Sequence, residues 1–198
     1  MIVIVDYGMG NVGSIVNMLK KVGAVAIISA DPGDIMTADK LILPGVGSFD
    51  QGMTNLAERG LIEVLNKRVL EEKCNILGIC LGMQLLCEKS EEGNAKCLGI
   101  IPCDAIKFQG NIKIPHMGWN SIQIKSKSKL MEGIDSESYF YFAHSYYVPL
   151  NEYTTVTVDY STQISAVVQK DNYFGVQFHP EKSGENGIKL IKNFIELC

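Results

Sequence analysis

Asn75-Ile76-Leu77-Gly78-Ile79-Cys80-Leu81-Gly82-Met83-Gln84 is the stretch on which the reading of this chain turns. Asn75 to Ile79 is an apolar run of the length of one buried strand. Leu81 to Cys87 opens a helix directly from its end, with Cys80 at the junction and no room for a loop. Gly78-Ile79-Cys80-Leu81-Gly82 is therefore a Gly-x-Cys-x-Gly elbow, with sulfur where such turns usually carry a serine oxygen. A nucleophile at this kind of turn sits in a strained backbone, and small residues two positions to either side let neighbouring backbone pass. A helix beginning at the cysteine aims unpaired N–H groups and its positive end at the sulfur. That favours thiolate and offers the Leu81 N–H as an oxyanion donor. A small buried cysteine between packing glycines is the alternative.

Outward from the elbow, strands alternate with helices. Ile2 to Val5 is a β-branched run closed by Asp6-Tyr7-Gly8-Met9-Gly10-Asn11, after which Val12, Ile15, Val16 and Leu19 recur at helical spacing. Val25 to Ile28 reads as a second strand and Leu41 to Leu43 as a third, ending at Pro44-Gly45-Val46-Gly47. A helical stretch from Phe49 to Glu72 follows, broken near Gly60. This order implies a parallel sheet. From Cys97 to Gln177 the pattern changes to short alternating runs: Ser121 to Ile124, Tyr139 to Phe142, Thr154 to Val158, Ser165 to Val168 and Tyr173 to Phe178. These predict an antiparallel extension, closed by a helix near Gly187 to Leu197. With no repeat, low-complexity tract or proline-rich linker, residues 1–198 read as one domain.

Composition narrows the function. The chain is 46% hydrophobic and 20% charged, which places it among globular proteins able to bury a core. A net charge of −4 without any block of one sign argues against a phosphate-tracking nucleic-acid binder. No stretch reaches the ~18 apolar residues of a membrane helix. The opening Met1-Ile2-Val3-Ile4-Val5-Asp6 reads as a strand rather than a secretory leader. The 6 cysteines contain no Cys-x-x-Cys pair, so reduced thiols in a cytoplasmic protein are expected, and no zinc-type spacing is present. Gly8-Met9-Gly10-Asn11-Val12-Gly13 lacks the spacing of a dinucleotide site and the Gly-Lys-Ser/Thr of a P-loop. Neither a metal nor a cofactor is expected.

A second constellation, Phe178-His179-Pro180-Glu181, stands at the end of the last strand-like run. A thiol with a pKa of about 8.5 is mostly protonated at neutral pH, so a neighbouring imidazole raises its nucleophilic fraction and later protonates a leaving amine. Glu181, two residues on, is placed to hold the far ring nitrogen and fix the tautomer. Of the 3 histidines, His116, His144 and His179, the Pro-Glu that follows singles out His179. Pro44-Gly45-Val46-Gly47 is a candidate second oxyanion donor at a neighbouring strand end, or a simple glycine turn.

The elbow Gly78 to Gln84, then His144-Ser145-Tyr146, then His179-Pro180-Glu181, in that order, resembles the class I (triad) glutamine amidotransferases along the whole chain. Within them, Asp6 to Asn11, Pro44 to Gly47 and Pro115-His116-Met117-Gly118-Trp119-Asn120 are similar to the glutaminase subunits of imidazole glycerol phosphate synthases. The resemblance implies an α/β, flavodoxin-like amidotransferase fold, with a mixed, mostly parallel sheet, helices on both faces and the antiparallel extension. It implies that Cys80 attacks the glutamine side-chain amide, that His179 shuttles protons and that Glu181 orients it. The backbone N–H of Leu81 and, after rearrangement of residues Pro44 to Gly47, that of Val46 would hold the oxyanion. Gly47, Gln84, Ser145 and Tyr146 would contact glutamine.

By the same resemblance, ammonia would pass to a (β/α)₈-barrel cyclase subunit in a heterodimer. That subunit makes imidazole glycerol phosphate and aminoimidazole carboxamide ribotide in histidine biosynthesis. With the 198 residues taken up by a glutaminase, a separate partner is expected to consume the ammonia. Asn11, Trp119, Asn120, Tyr141 and Lys182 would face it, Trp119 as an exposed anchor or, alternatively, a core tryptophan. Two other readings stand beside this one. The same glutaminase could serve a paralogous synthase that amidates a sugar for surface polysaccharide, or the domain could be a non-catalytic flavodoxin-like redox or scaffold module.

Overall fold

The computed structural model describes residues 1–198. Its helices are α1 (Val12–Lys21), α2 (Pro32–Thr37), α3 (Phe49–Glu58), α4 (Leu61–Asn66), α5 (Leu81–Leu85) and α6 (Gly184–Leu197). Its strands are β1 (Ile2–Val5), β2 (Ala26–Ser29), β3 (Lys40–Leu43), β4 (Asn75–Ile79), β5 (Lys89–Ser90), β6 (Asp104–Lys107), β7 (His116–Ile124), β8 (Tyr139–His144), β9 (Tyr146–Tyr147), β10 (Thr154–Tyr160), β11 (Thr162–Lys170) and β12 (Tyr173–Val176).

Nine strands form one sheet in the order β2-β1-β3-β4-β12-β11-β10-β7-β8. The contacts among β2, β1, β3, β4 and β12 are parallel, and every contact from β12 to β8 is antiparallel. The mixed sheet with an antiparallel extension is thus as the sequence indicated. Alternation along the strands builds two cores of 27 buried residues each. Ile2 and Ile4 of β1 point to the face covered by Ile15 and Leu19 of α1 and Phe194 of α6. Val3 and Val5 point to the face covered by Phe49 of α3, Leu65 of α4 and Leu85 of α5. Each such fully buried side chain contributes roughly 1.5–3 kcal/mol. No helix is long and apolar enough to cross a membrane.

The structure departs from the sequence reading at a few places. β2 lies one residue later than Val25 to Ile28, because its pairing with β1 runs from Ala26 opposite Ile2 to Ser29 opposite Val5, leaving Val25 exposed. Helix α2 was not anticipated; Asp31 caps it by accepting from the Gly33 and Asp34 N–H groups, with Pro32 in its first turn. The helix after the elbow stops at Leu85 rather than Cys87, as Leu86 N–H turns to the Met83 carbonyl and Cys87 N–H to that of Gln84. A small second sheet, β5-β6-β9, is also additional.

Candidate active site

The elbow sits where β4 ends, at the carboxyl edge of the parallel strands, the position in which open α/β sheets carry their sites. Cys80 has φ +54° and ψ −108°, a left-handed conformation that a non-glycine residue adopts only when its surroundings impose it. Those surroundings are tight backbone contacts. A Cβ at Gly82 would overlap the Leu43 carbonyl oxygen, and one at Gly78 would lie 2.7 Å from the Gly82 oxygen. A Cβ at Gly45 would lie 2.7 Å from both the Gly82 nitrogen and the Leu81 Cβ, so Pro44 to Gly47 runs directly beside the elbow. Buried Tyr7 fixes this segment by donating its hydroxyl hydrogen to the Pro44 carbonyl at 2.5 Å. Burial, and secondarily the charge of Cys80, hold the Tyr7 phenol protonated far above its ordinary range.

His179 and Glu181 come from the segment after β12. The His179 backbone N–H donates to the Tyr141 carbonyl at 2.8 Å, and the Ser183 hydroxyl accepts from the Tyr141 N–H at 3.0 Å, which pins the segment to β8. His179 Nδ1 donates to Glu181 Oε1 at 2.8 Å. Burial alone would lower the His179 pKa, but hydrogen bonds and charges from Cys80 and Glu181 prevail and push it up to about 10. Cys80 and the His179–Glu181 pair are therefore brought together from segments about a hundred residues apart. Glu181 Oε2 is buried without a hydrogen-bond partner, so the imidazolium is the main compensation for that carboxylate.

Cys80 opens onto a cavity of about 270 Å³ whose walls include Val46, Gly47, Leu81, Gln84, Ser145 and Tyr146, all residues singled out from the sequence. This is the small end of ligand pockets, suited to a single metabolite. Gln84 is 3% exposed, and its Nε2 donates inward to the Tyr146 carbonyl and to Gln177 Oε1, both at 3.0 Å. Its Oε1 is left as the atom to meet a ligand.

Glu92 in the pocket wall and Gln177 behind the sulfur escaped the sequence reading. Glu92 lines the cavity from the loop that wraps Asp50, whose Oδ1 accepts from the Asn94 and Ala95 N–H groups at 3.0 Å. Burial pushes the Glu92 carboxyl up, against the pull of a hydrogen bond from the Phe49 backbone. Gln177, completely buried, places its Nε2 3.7 Å from Cys80 Sγ. Acids before a glycine read as a solvated turn, and a lone glutamine in a strand carries no spacing signal.

The residues expected at a partner surface lie together in part. Trp119 is 56% exposed, which settles it as a surface residue, and it meets Tyr141 edge to face at 6.1 Å across the β7–β8 pair. Lys182 Nζ lies over the Tyr141 ring at 5.4 Å. Asn120 is half-buried, and its amide donates to His116 Nε2 and the Asp159 carbonyl. Asn11 is exposed and caps α1 through the Ser14 N–H. The remaining cysteines are free thiols, and Cys87 Sγ lies 3.4 Å from Cys103 Sγ.

Comparison with known proteins identifies the family and agrees with the fold. The family pattern described as glutamine amidotransferase class-I matches residues 3–197. The imidazole glycerol phosphate synthase subunit HisH 2 of Methanococcus maripaludis is 55% identical over 200 residues, covering 99% of both chains. Subunit HisH 1 of Campylobacter jejuni is 48% identical over 201 residues, covering all of both, and subunit HisH of Bacteroides fragilis is 45% identical over 99% of both. Among solved structures, a glutamine amidotransferase superposes with TM-score 0.76 at 20% identity, covering 98% of this chain and 97% of the other. The structure of PurLQS from Thermotoga maritima superposes with TM-score 0.76 at 18% identity, covering 98% and 96%, and at this identity both speak for the fold alone. With a strained elbow cysteine, a buried His-Glu pair and a match from end to end, the chain belongs to the class-I glutamine amidotransferase family.

Proposed function

We propose that this chain is the glutaminase subunit of an imidazole glycerol phosphate synthase: it hydrolyses glutamine to glutamate and hands the ammonia to a cyclase subunit. The observation that carries the reading is Cys80, held at a left-handed elbow beside the His179–Glu181 pair, in a chain 55% identical to a relative bearing that name.

The chemistry follows from the residues. The Cys80 thiolate attacks the side-chain carbonyl carbon of glutamine, and the Leu81 N–H, free of an intrahelical partner in the first turn of α5, receives the developing oxyanion. Val46 N–H would add a second donor once the segment Pro44 to Gly47 turns toward the pocket. His179, protonated at rest, gives its proton to the departing nitrogen, so ammonia leaves and a glutamyl thioester remains on Cys80. Neutral His179 then takes a proton from water as it attacks the thioester. The C–S bond breaks, glutamate departs, and the imidazolium–thiolate pair is restored. Glu181 holds the ring in register throughout.

Gln84, Ser145, Tyr146 and Gly47 line the side of the cavity that would embrace glutamine, and Glu92 offers an anionic partner for its α-ammonium. The exposed Trp119 and Lys182, with the half-buried Tyr141 between them, form the surface for the partner, a (β/α)₈-barrel cyclase in a one-to-one heterodimer, with Asn11 and Asn120 at its margins. Residues 1–198 act as one domain in this scheme.

Glutamate release from glutamine, measured for the chain alone and mixed with a histidine-pathway cyclase and its ribonucleotide substrate, tests the proposal. Strong stimulation that vanishes in Cys80→Ala is expected. Cys80-dependent turnover without stimulation would overturn the assigned partner, and absence of turnover in both settings would overturn the glutaminase assignment.

A further inference from the structure

Two histidines outside the triad stand opposite each other, His116 on β7 and His144 on β8, where His144 lines the pocket. His144 Nδ1 stands 2.8 Å from the Tyr146 carbonyl oxygen, and His144 Nε2 stands 2.9 Å from His116 Nδ1. A carbonyl only accepts, so His144 carries its hydrogen on Nδ1 and its Nε2 must accept. His116 therefore carries its own hydrogen on Nδ1, leaving its Nε2 to accept from Asn120 Nδ2 at 3.3 Å. Burial keeps both rings neutral, lowering His116 to about 4 and His144 to about 3, so each has one donor and one acceptor. The hydrogen bonds point one way, from Asn120 to Tyr146.

The same carbonyl orients the other half of the network. It accepts a second hydrogen bond from Gln84 Nε2, whose remaining hydrogen goes to Gln177 Oε1. Gln177 is thereby turned with its nitrogen toward Cys80 Sγ. Besides His179, the sulfur has the Ala143 carbonyl at 3.8 Å as a polar neighbour; that oxygen is a partner only for S–H, whereas the Gln177 N–H favours S⁻.

We propose that Gln177 holds the Cys80 thiolate through a donated hydrogen bond, and that the chain Asn120, His116, His144, Tyr146 and Gln84 sets Gln177 from β7. Gln177 touches the reacting sulfur; the others are positioning residues. A displacement of β7 where the exposed Trp119 adjoins Asn120 is then felt at the nucleophile through hydrogen bonds of fixed direction. The link to a partner rests on the functional reading above; the hold of Gln177 on the sulfur does not.

Alkylation of Cys80 by iodoacetamide, followed across pH by peptide mass spectrometry on the free chain, needs neither glutamine nor partner. His179 and Tyr7, the titratable groups coupled to the sulfur, are left untouched by Gln177→Met, which keeps the side-chain length without the donor, and by Gln177→Glu, which presents an acceptor. In Gln177→Met the rate at neutral pH should fall about tenfold and the profile move to higher pH, with a larger effect in Gln177→Glu. The kcat for glutamine should fall in step with little change in KM. Folded variants alkylated at the wild-type rate would overturn the proposal.

His116→Phe gives an independent arm, since a phenyl ring can keep the stacking on Phe142 and Tyr160 while removing the donor to His144. Alkylation of Cys80 and stimulation by the cyclase should each fall about threefold, and wild-type values for both would overturn the chain from β7. If wild-type protein shows no Cys80-dependent glutaminase activity, it is the functional reading that fails, and the alkylation series still decides the role of Gln177.

Discussion

His179 Nδ1 lies 2.8 Å from Glu181 Oε1, and each of the two side chains is only 3% exposed. At this burial the carboxylate acts on the imidazole with little screening, and together with Cys80 it keeps the ring protonated up to a pH of about 10. Glu181→Gln keeps the shape of the side chain and removes its charge. The expected result is a kcat lower by about 10³-fold, with the alkaline limb of the pH profile moved to lower pH. Steady-state glutamate release between pH 6 and pH 10 measures both.

Cys80→Ala removes a sulfur from a site where little area is buried by that atom, so the fold should persist while the chemistry disappears. Thermal unfolding is expected within a few degrees of wild type, and glutamate release at least about 10⁴-fold lower. A calorimetric scan beside a glutamate assay checks the pair of outcomes.

Gly82→Ala should be among the most damaging single-methyl changes in the chain. The new Cβ would overlap the Leu43 carbonyl oxygen, so β3 and the start of α5 would have to separate. A loss of about 3 kcal/mol or more is expected. Gly23→Ala is the comparison: φ is +75° there but no atom lies within 4 Å of the added Cβ, so only about 1 kcal/mol of backbone strain is expected. Urea denaturation midpoints of the two variants measure the difference.

Stability should crest near pH 6.5. His179 is raised in the folded state, so its stabilisation is complete below its ordinary value of 6.5 and is lost as pH rises toward about 10. His116 and His144 are lowered to about 4 and about 3, so the unfolded chain takes up protons that the folded chain refuses, and stability falls as pH drops below 6.5. Each ring contributes a slope of at most about 1.4 kcal/mol per pH unit. Melting temperatures recorded from pH 5 to pH 10 should show the crest, and Glu181→Gln should flatten its alkaline side.

Local signals made much of this legible in the sequence. Short apolar runs revealed β1, β3 and β4, and the Gly-x-Cys-x-Gly spacing placed Cys80 at a strand-to-helix junction that the structure shows at φ +54°. His179 and Glu181 were readable because they are two residues apart and form their own contact. The features that escaped are short or non-local. Strands β5 and β9 have two residues each, too few for any periodicity. His116 meets His144 because β7 and β8 pair in a register that sets them opposite each other, and Gln177 meets Cys80 because β12 lies beside β4. No spacing along the chain encodes either meeting.

The claim at the centre of this account is that Cys80 is the nucleophile for a glutamine-shaped substrate. Its most direct test is mass spectrometry of the intact chain and its peptides after treatment with a glutamine-mimicking diazoketone. The account predicts one label per chain, on Cys80, slowed by excess glutamine and absent in Cys80→Ala; labelling of another cysteine, or none that glutamine protects, would contradict it.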